Sequence, residues 1–198
     1  MSDLFYSLIT FALIATASPG GATTLATASG IQFGFARSVP LIAGIAVGMA
    51  TLIGLVGGGL GTLVASVPQL QFGLRLIGSL YLLWLAWQIS NTAAPNAKTG
   101  VAAAPLTFAK GMLLLWLNPK GWTLAVASAS AYAAITNSPA QLLFILGTVF
   151  GLAALVSLTL WCISGQWLSQ VIKTDRAWRA FNIALALLLA ASIIPMWR

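Results

Sequence analysis

Six long apolar runs constrain this chain more than any other feature. They fall at about 4–29, 39–65, 70–90, 107–133, 140–165 and 178–197. Each is close to the roughly 20 residues that an α-helix needs to cross the hydrocarbon core of a bilayer. Inside lipid no water is available to backbone N–H and C=O groups, so each segment must satisfy its own, and a helix does so. Barrel strands would be shorter and would alternate apolar with polar residues, which these runs do not. Composition points the same way, with 60% hydrophobic residues, 6% charged residues and a mean hydropathy of +0.98. A soluble domain carries about 25% charged residues. The expected fold is an all-α membrane protein of six transmembrane helices, one domain of 198 residues with the lipid bilayer as its solvent.

The basic residues read as topology signals. The net charge is +7, but the nine Lys and Arg are dispersed and mostly flank apolar runs, so no nucleic-acid partner is expected. The first, third and fifth linkers carry Arg37, Lys98, Lys110, Lys173, Arg176 and Arg179. The second and fourth carry none, although Arg75 lies just inside the third run and Arg198 ends the chain. By the positive-inside rule, the odd linkers face the cytoplasm and both termini face the periplasm. Trp84, Trp87, Trp167, Trp178 and Trp197 fall near run ends, where an aromatic belt would sit. The segment "LFYSLITFALIATA" ends like a signal-peptide cleavage site, but Asp3 and no basic residue precede it, so it reads as a retained span.

The inventory excludes several chemistries. There is no histidine, and the only acids are Asp3 and Asp175. His/carboxylate metal sites, Ser-His-Asp triads and carboxylate pairs therefore have no members. The lone Cys162 gives no disulfide framework. No cofactor is implied, and the chain does not read as an enzyme.

The two halves of the sequence echo each other. Pro19, Gly21 and Thr23 recur as Pro119, Gly121 and Thr123, the pair Gly44/Gly48 as Gly147/Gly151, and Arg75 as Arg179. The matches keep their order, and their spacing grows slowly along the chain. They define one repeat at about 1–95 and another at about 105–198, joined by a linker at about 91–105. An odd number of spans per repeat gives the two opposite orientations, the inverted-topology plan of many secondary transporters. The small-xxx-small pairs Gly44/Gly48, Gly54/Gly58 and Gly147/Gly151 let helices approach closely, either within the chain or across a homodimer.

Two of the runs are interrupted at corresponding places, by "SPGG" at Ser18–Gly21 and by "LNPKG" at Leu117–Gly121. A proline within a helix removes a hydrogen bond and clashes with the preceding turn, at a cost of about 3 kcal/mol. At about 1.5 Å per residue, both breaks fall near mid-membrane. Each break exposes partly negative carbonyls at the end of one half-helix, around Ala15–Ala17 and Leu115–Leu117. Each also exposes partly positive amides at the start of the next, around Gly20–Ala22 and Lys120–Trp122. A zwitterion fits such a pair, its carboxylate facing amides and its ammonium facing carbonyls, with Asn118 adding a side-chain acceptor. The expected substrate site comprises Ser18, Pro19, Gly20, Gly21, Thr23, Asn118, Pro119, Lys120 and Gly121. A lysine at a helix centre costs about 2.5–3.5 kcal/mol to insert, and intramembrane charges are usually functional. Lys120 accordingly reads as the partner of a substrate carboxylate or as a proton carrier, and its charge disfavours a doubly cationic substrate.

At these residues the chain resembles the lysine-exporter (LysE/RhtB) superfamily of bacterial amino-acid efflux proteins. The likeness rests on "ASPGG", "GFARSVPLIAGIAVGM", "LRLIGSLYLLWLAWQI" and "FAKGMLLLWLNPKGW", and spans essentially the whole chain. It implies an inner-membrane exporter of amino acids or related metabolites, coupled to the proton gradient. The family's usual Pro-Gly-Pro-Asn is here Pro19-Gly20-Gly21-Ala22, and the acidic residue that many members carry after the second-span glycines is here Met49. The pattern is nearest the cysteine/O-acetylserine and homoserine/threonine types, which implies small neutral substrates. The other readings are an exporter of a cationic amino acid or another solute, a scaffold without transport, and an intramembrane enzyme whose only formal pair is Ser18 with Lys120.

Overall fold

The computed structural model describes residues 2–61, 66–91, 105–172 and 174–194. Among them lie seven α-helices: α1 Ser2–Ala17, α2 Gly21–Leu55, α3 Pro68–Ser90, α4 Phe108–Trp116, α5 Pro119–Ala131, α6 Pro139–Val171 and α7 Asp175–Ala191. A π-helical turn, Val56–Leu60, extends α2, and a 3₁₀ turn, Ala133–Ile135, follows α5. No strand occurs among the described residues. Gly21–Leu60 and Pro139–Val171 are long and apolar enough to cross a membrane. Lys98 and Lys173, expected in basic linkers, lie outside the described residues, as do Trp197 and Arg198.

Several helix starts follow from local chemistry. Asn118 and Ser138 each precede a proline at the first helical position, where the missing N–H costs nothing. Their side chains accept from the amides of Lys120 and Gln141, and Thr174 caps α7 by accepting from Ala177. Both expected breaks are present, Ser18–Gly20 between α1 and α2 and Leu117–Asn118 between α4 and α5.

The segment "GIQFGFARS", read as a linker, stays helical and turns a corner instead. Gly34 adopts φ 75°, ψ 170° inside α2, a conformation that only glycine reaches cheaply. The corner divides α2 into a first arm, 21–33, and a second arm, 35–55. It is stapled by side chains: Gln166 Oε1 accepts from the Phe35 amide at 2.8 Å, and the hydroxyls of Ser29 and Ser38 meet at 2.7 Å.

Helix α2 packs most extensively on α6, α2 also packs on α4, and α3 packs on α7. Since lipid is as apolar as leucine, close approach of backbones has to drive such packing. Glycines provide it. A Cβ on Gly30 would meet the Cys162 carbonyl, and one on Gly165 would meet the Thr27 carbonyl. Gly44 faces the Phe108 carbonyl in the same way, and Gly147 faces those of α2 at Ala50. The small-residue pairs thus serve contacts inside the chain. Phe150, Leu41, Ile45, Leu52 and Leu146 are fully buried around them. Apolar side chains such as Ile14, Leu80, Phe144, Leu160 and Trp167 are exposed on the outside, the arrangement a lipid solvent favours. Trp178, expected in an interfacial belt, is buried instead.

Candidate functional site

The two breaks meet. Lys120, in the first turn of α5, sends its ammonium to the end of α1. Its Nζ donates to the Ser18 carbonyl at 2.9 Å, to Ser18 Oγ at 2.7 Å and, more weakly, to the Pro19 carbonyl at 3.4 Å. Ser18 Oγ passes the chain on by donating to the Ala15 carbonyl at 2.8 Å. A cation at a helix C-terminus complements the partial negative charge there.

The remaining carbonyls at the break are taken by other side chains. Ser157 Oγ donates to the Thr16 carbonyl at 2.9 Å, and Trp161 Nε1 donates to the Ala17 carbonyl at 3.1 Å, both from α6. At the second break, Trp122 Nε1 donates to the Trp116 carbonyl at 2.7 Å and the Asn118 amide to the Leu115 carbonyl at 3.0 Å. The carbonyls of Ala15–Ala17, Leu115 and Trp116 are therefore not the open cup that the sequence suggests, while that of Leu117 lies against Gly78 of α3. Buried backbone acceptors need partners, and α6 and the tryptophans provide them.

The amide ends differ from each other. At α5, Asn118 Oδ1 accepts from the Lys120 amide at 3.0 Å, and the Asn118 carbonyl accepts from Gly121 N at 3.0 Å and Trp122 N at 3.4 Å. Asn118 thus spends its oxygen as a cap. The side-chain group it turns to the other break is the donor Nδ2, which would stand 3.3 Å from a Cβ on Gly21. At α2, Thr23 Oγ1 accepts from the Gly20 amide at 2.8 Å and donates to the Gly20 carbonyl at 2.9 Å. The amides of Gly21, Ala22 and Thr23 then open the helix with no preceding turn to accept from them.

Between the breaks lies a cavity of about 30 Å³, lined by Ser18, Gly20, Gly21, Thr23, Asn118, Lys120 and Gly121. That is the share of about one water, far below the roughly 300 Å³ at which small-molecule pockets begin. Pro19 contributes only its carbonyl, and Pro119 opens α5. Thr16, Met49 and Leu124 also line the cavity and escaped the sequence reading. Met49 was legible only as a departure from the family pattern. Lys120 is the single charged residue of this wall.

The LysE type translocator family matches residues 13–191. The chain belongs to that family. It is thus a transmembrane translocator, and its family is one of transporters, not enzymes. Curated relatives include the cysteine/O-acetylserine efflux proteins of Escherichia coli K12 and Shigella sonnei. Each is 28% identical over 91% of this chain and 90% of the relative. The protein of that name from Escherichia coli O1:K1 is 27% identical over the same shares. No solved structure matches the chain.

Proposed function

We propose that the chain is a secondary exporter of small neutral amino acids and closely related metabolites across the bacterial inner membrane, coupled to the proton gradient. Its frame is six transmembrane helices in two inverted three-helix repeats, with both termini periplasmic. The packing supports the repeat. The second arm of α2 meets α4 much as α6 meets α1, while α2 with α6 and α3 with α7 pair across the pseudo-axis.

The observation that carries the reading is the Lys120 bridge between the two broken helices. At rest the lysine ammonium occupies the position at the Ser18 and Pro19 carbonyls that suits the α-ammonium of a substrate. When the cavity widens to admit an amino acid, the substrate ammonium replaces it there. Lys120 then turns to the substrate carboxylate, which also meets the amides of Gly21, Ala22 and Thr23 and the Nδ2 of Asn118. Every group on that second side is a donor, as a carboxylate requires. Met49 offers a thioether to the substrate side chain, and among the described residues no acid lines the cavity to receive a second positive charge. This favours neutral amino acids over cationic ones. Serine-sized substrates, cysteine and O-acetylserine among them, are the first candidates, given what the relatives export.

The Ser18–Lys120 pair does not support hydrolytic chemistry. A lysine that activates a serine must be an acceptor. Here Nζ has three oxygens as partners, as many as an ammonium has donors, and Ser18 Oγ gives its own proton to Ala15. Uptake of labelled amino acids into inverted membrane vesicles tests the proposal. Saturable, gradient-dependent uptake of a neutral amino acid is expected. A broad panel with no specific flux would leave the scaffold reading in its place.

A further inference from the structure

A second cleft, of about 520 Å³, opens beside the corner of α2. It is bounded by the first arm of α2, the end of α3, the start of α4 and the first turns of α7. Its polar lining includes Ser29, Gln32, Gln88, Asn91, Lys110 and Asn182. Among the described residues, Lys110 is the charged one on its wall. A cleft of this size with several hydrogen-bonding side chains falls in the range of small-molecule sites.

Its position relative to the break cavity is informative. Three helices run from one to the other. Along α2, Gly21 belongs to the break cavity, and Leu25, one turn on, lines the cleft. Leu82 of α3 and Leu189 of α7 close over Gly21, where a Cβ would stand 3.5 Å from Leu82 Cδ2 and 3.0 Å from Leu189 Cδ1. Leu85 and Gln88, farther along α3, already line the cleft. One helical turn rises about 5.4 Å, so the two spaces are roughly one turn apart along α2 and α3, and along α7, from Asn182 to Leu189, roughly two. Leu82 and Leu189 are fully buried.

We propose that this cleft is the cytoplasmic entry site for a small carboxylate-bearing amino acid, and that Leu82 and Leu189 form the barrier between it and the break cavity. The ligand class rests on the exporter reading above. The cleft and its barrier do not. Lys110 and the surrounding amides attract the carboxylate, and the absence of an acid on the described wall disfavours a net cation.

Single cysteines in a Cys162→Ala background test this with a membrane-impermeant maleimide on inverted and right-side-out vesicles. Gln88→Cys, in the cleft, is expected to label at least tenfold faster in inverted vesicles. Ala22→Cys, in the break cavity, is expected to resist labelling from that side until Leu82→Ala or Leu189→Ala is added, which raises its rate tenfold or more. Equal labelling of Gln88→Cys from both sides, or an Ala22→Cys rate indifferent to both truncations, overturns the proposal. The two truncations are separate variants, so one that misfolds leaves the other to decide. In a further arm, O-acetylserine slows labelling of Gln88→Cys and Lys110→Gln abolishes that protection. No slowing by it or by serine overturns the ligand class. The accessibility arms read no flux, so they stand or fall independently of the exporter reading.

Discussion

Lys120 Nζ lies 2.7 Å from Ser18 Oγ and 2.9 Å from the Ser18 carbonyl, so one ammonium ties the start of α5 to the end of α1. These residues are 102 apart in sequence and belong to different halves of the chain. The bond joins an interrupted helix from each half. In the proposed mechanism it holds the cavity closed and is exchanged for substrate contacts when the cavity opens. A hydrogen bond to a charged group contributes about 1.5–3 kcal/mol, enough to hold a closed state and little enough for a bound substrate to replace.

Replacing Lys120 removes both roles. Lys120→Met leaves the Ser18 and Pro19 carbonyls without their cation and removes the proposed carboxylate partner. Efflux from preloaded proteoliposomes is expected to fall by about tenfold or more, the equivalent of one lost charged hydrogen bond. Lys120→Arg should not restore it, because the planar guanidinium is not interchangeable with an ammonium and the cavity is only about 30 Å³. Size-exclusion profiles would establish that both variants remain folded. Full transport by Lys120→Met would remove the exchange mechanism.

Ser18→Ala separates positioning from chemistry. It removes one of three acceptors around Nζ and leaves both carbonyls in place. Transport is expected to drop by less than about tenfold, because a water can take the place of the lost hydroxyl as an acceptor and offset part of the about 1.5–3 kcal/mol that a hydrogen bond to a charged group is worth. Complete loss in a folded Ser18→Ala variant would instead give the hydroxyl an obligatory part.

The corner at Gly34 makes a prediction about stability. Alanine at φ 75°, ψ 170° is strained by about 1–3 kcal/mol. Gly34→Ala should therefore lower the melting temperature of detergent-purified protein. Gln166→Leu should do so too, because the Phe35 amide loses its 2.8 Å acceptor, and a buried donor left unmade costs about 1–3 kcal/mol. A Gly34→Ala melt equal to that of the unaltered chain would contradict the strain argument.

These features differ in how far sequence alone reveals them. The breaks are legible because Pro19 and Pro119 leave local signatures, and Asn118 and Ser138 mark helix starts in the same way. Lys120 is legible because a charge in an apolar run has to have a reason. The partners of the broken ends are not. Ser157 and Trp161 lie far along the chain on α6, and only tertiary packing, of α6 on α2 and on α1 itself, brings them to the end of α1. The expectation of open carbonyls failed for that reason. The corner was hidden because Gln32, Arg37 and Ser38 around Gly34 look like a polar linker between two spans, while the helix continues on both sides of the glycine. Trp178 sits at a run end, yet it is buried because α7 begins beside the second cleft. That cleft is assembled from parts of four helices far apart in the sequence, and no local pattern announces it.

The reciprocal contact of Gly30 and Gly165 gives the sharpest test of the packing. A Cβ on Gly30 would collide with the Cys162 carbonyl, and one on Gly165 with the Thr27 carbonyl, so each glycine admits the other helix's backbone at the same crossing. Backbone atoms cannot swing aside as a side chain can, and overpacking typically costs about 1–3 kcal/mol. Gly30→Ala and Gly165→Ala should each lower the melting temperature. Gly73→Ala is the control: its Cβ would meet nothing within 4 Å, and alanine in a helix is favoured over glycine by about 0.5–1 kcal/mol. The double variant is the informative one. Once the first methyl has pushed α2 and α6 apart, the second finds space already made. The double loss should fall short of the sum of the singles by about 0.5–3 kcal/mol, the range for residues that share a contact. Strict additivity would mean that the two sites yield independently and that α2 and α6 do not move as rigid bodies at this crossing.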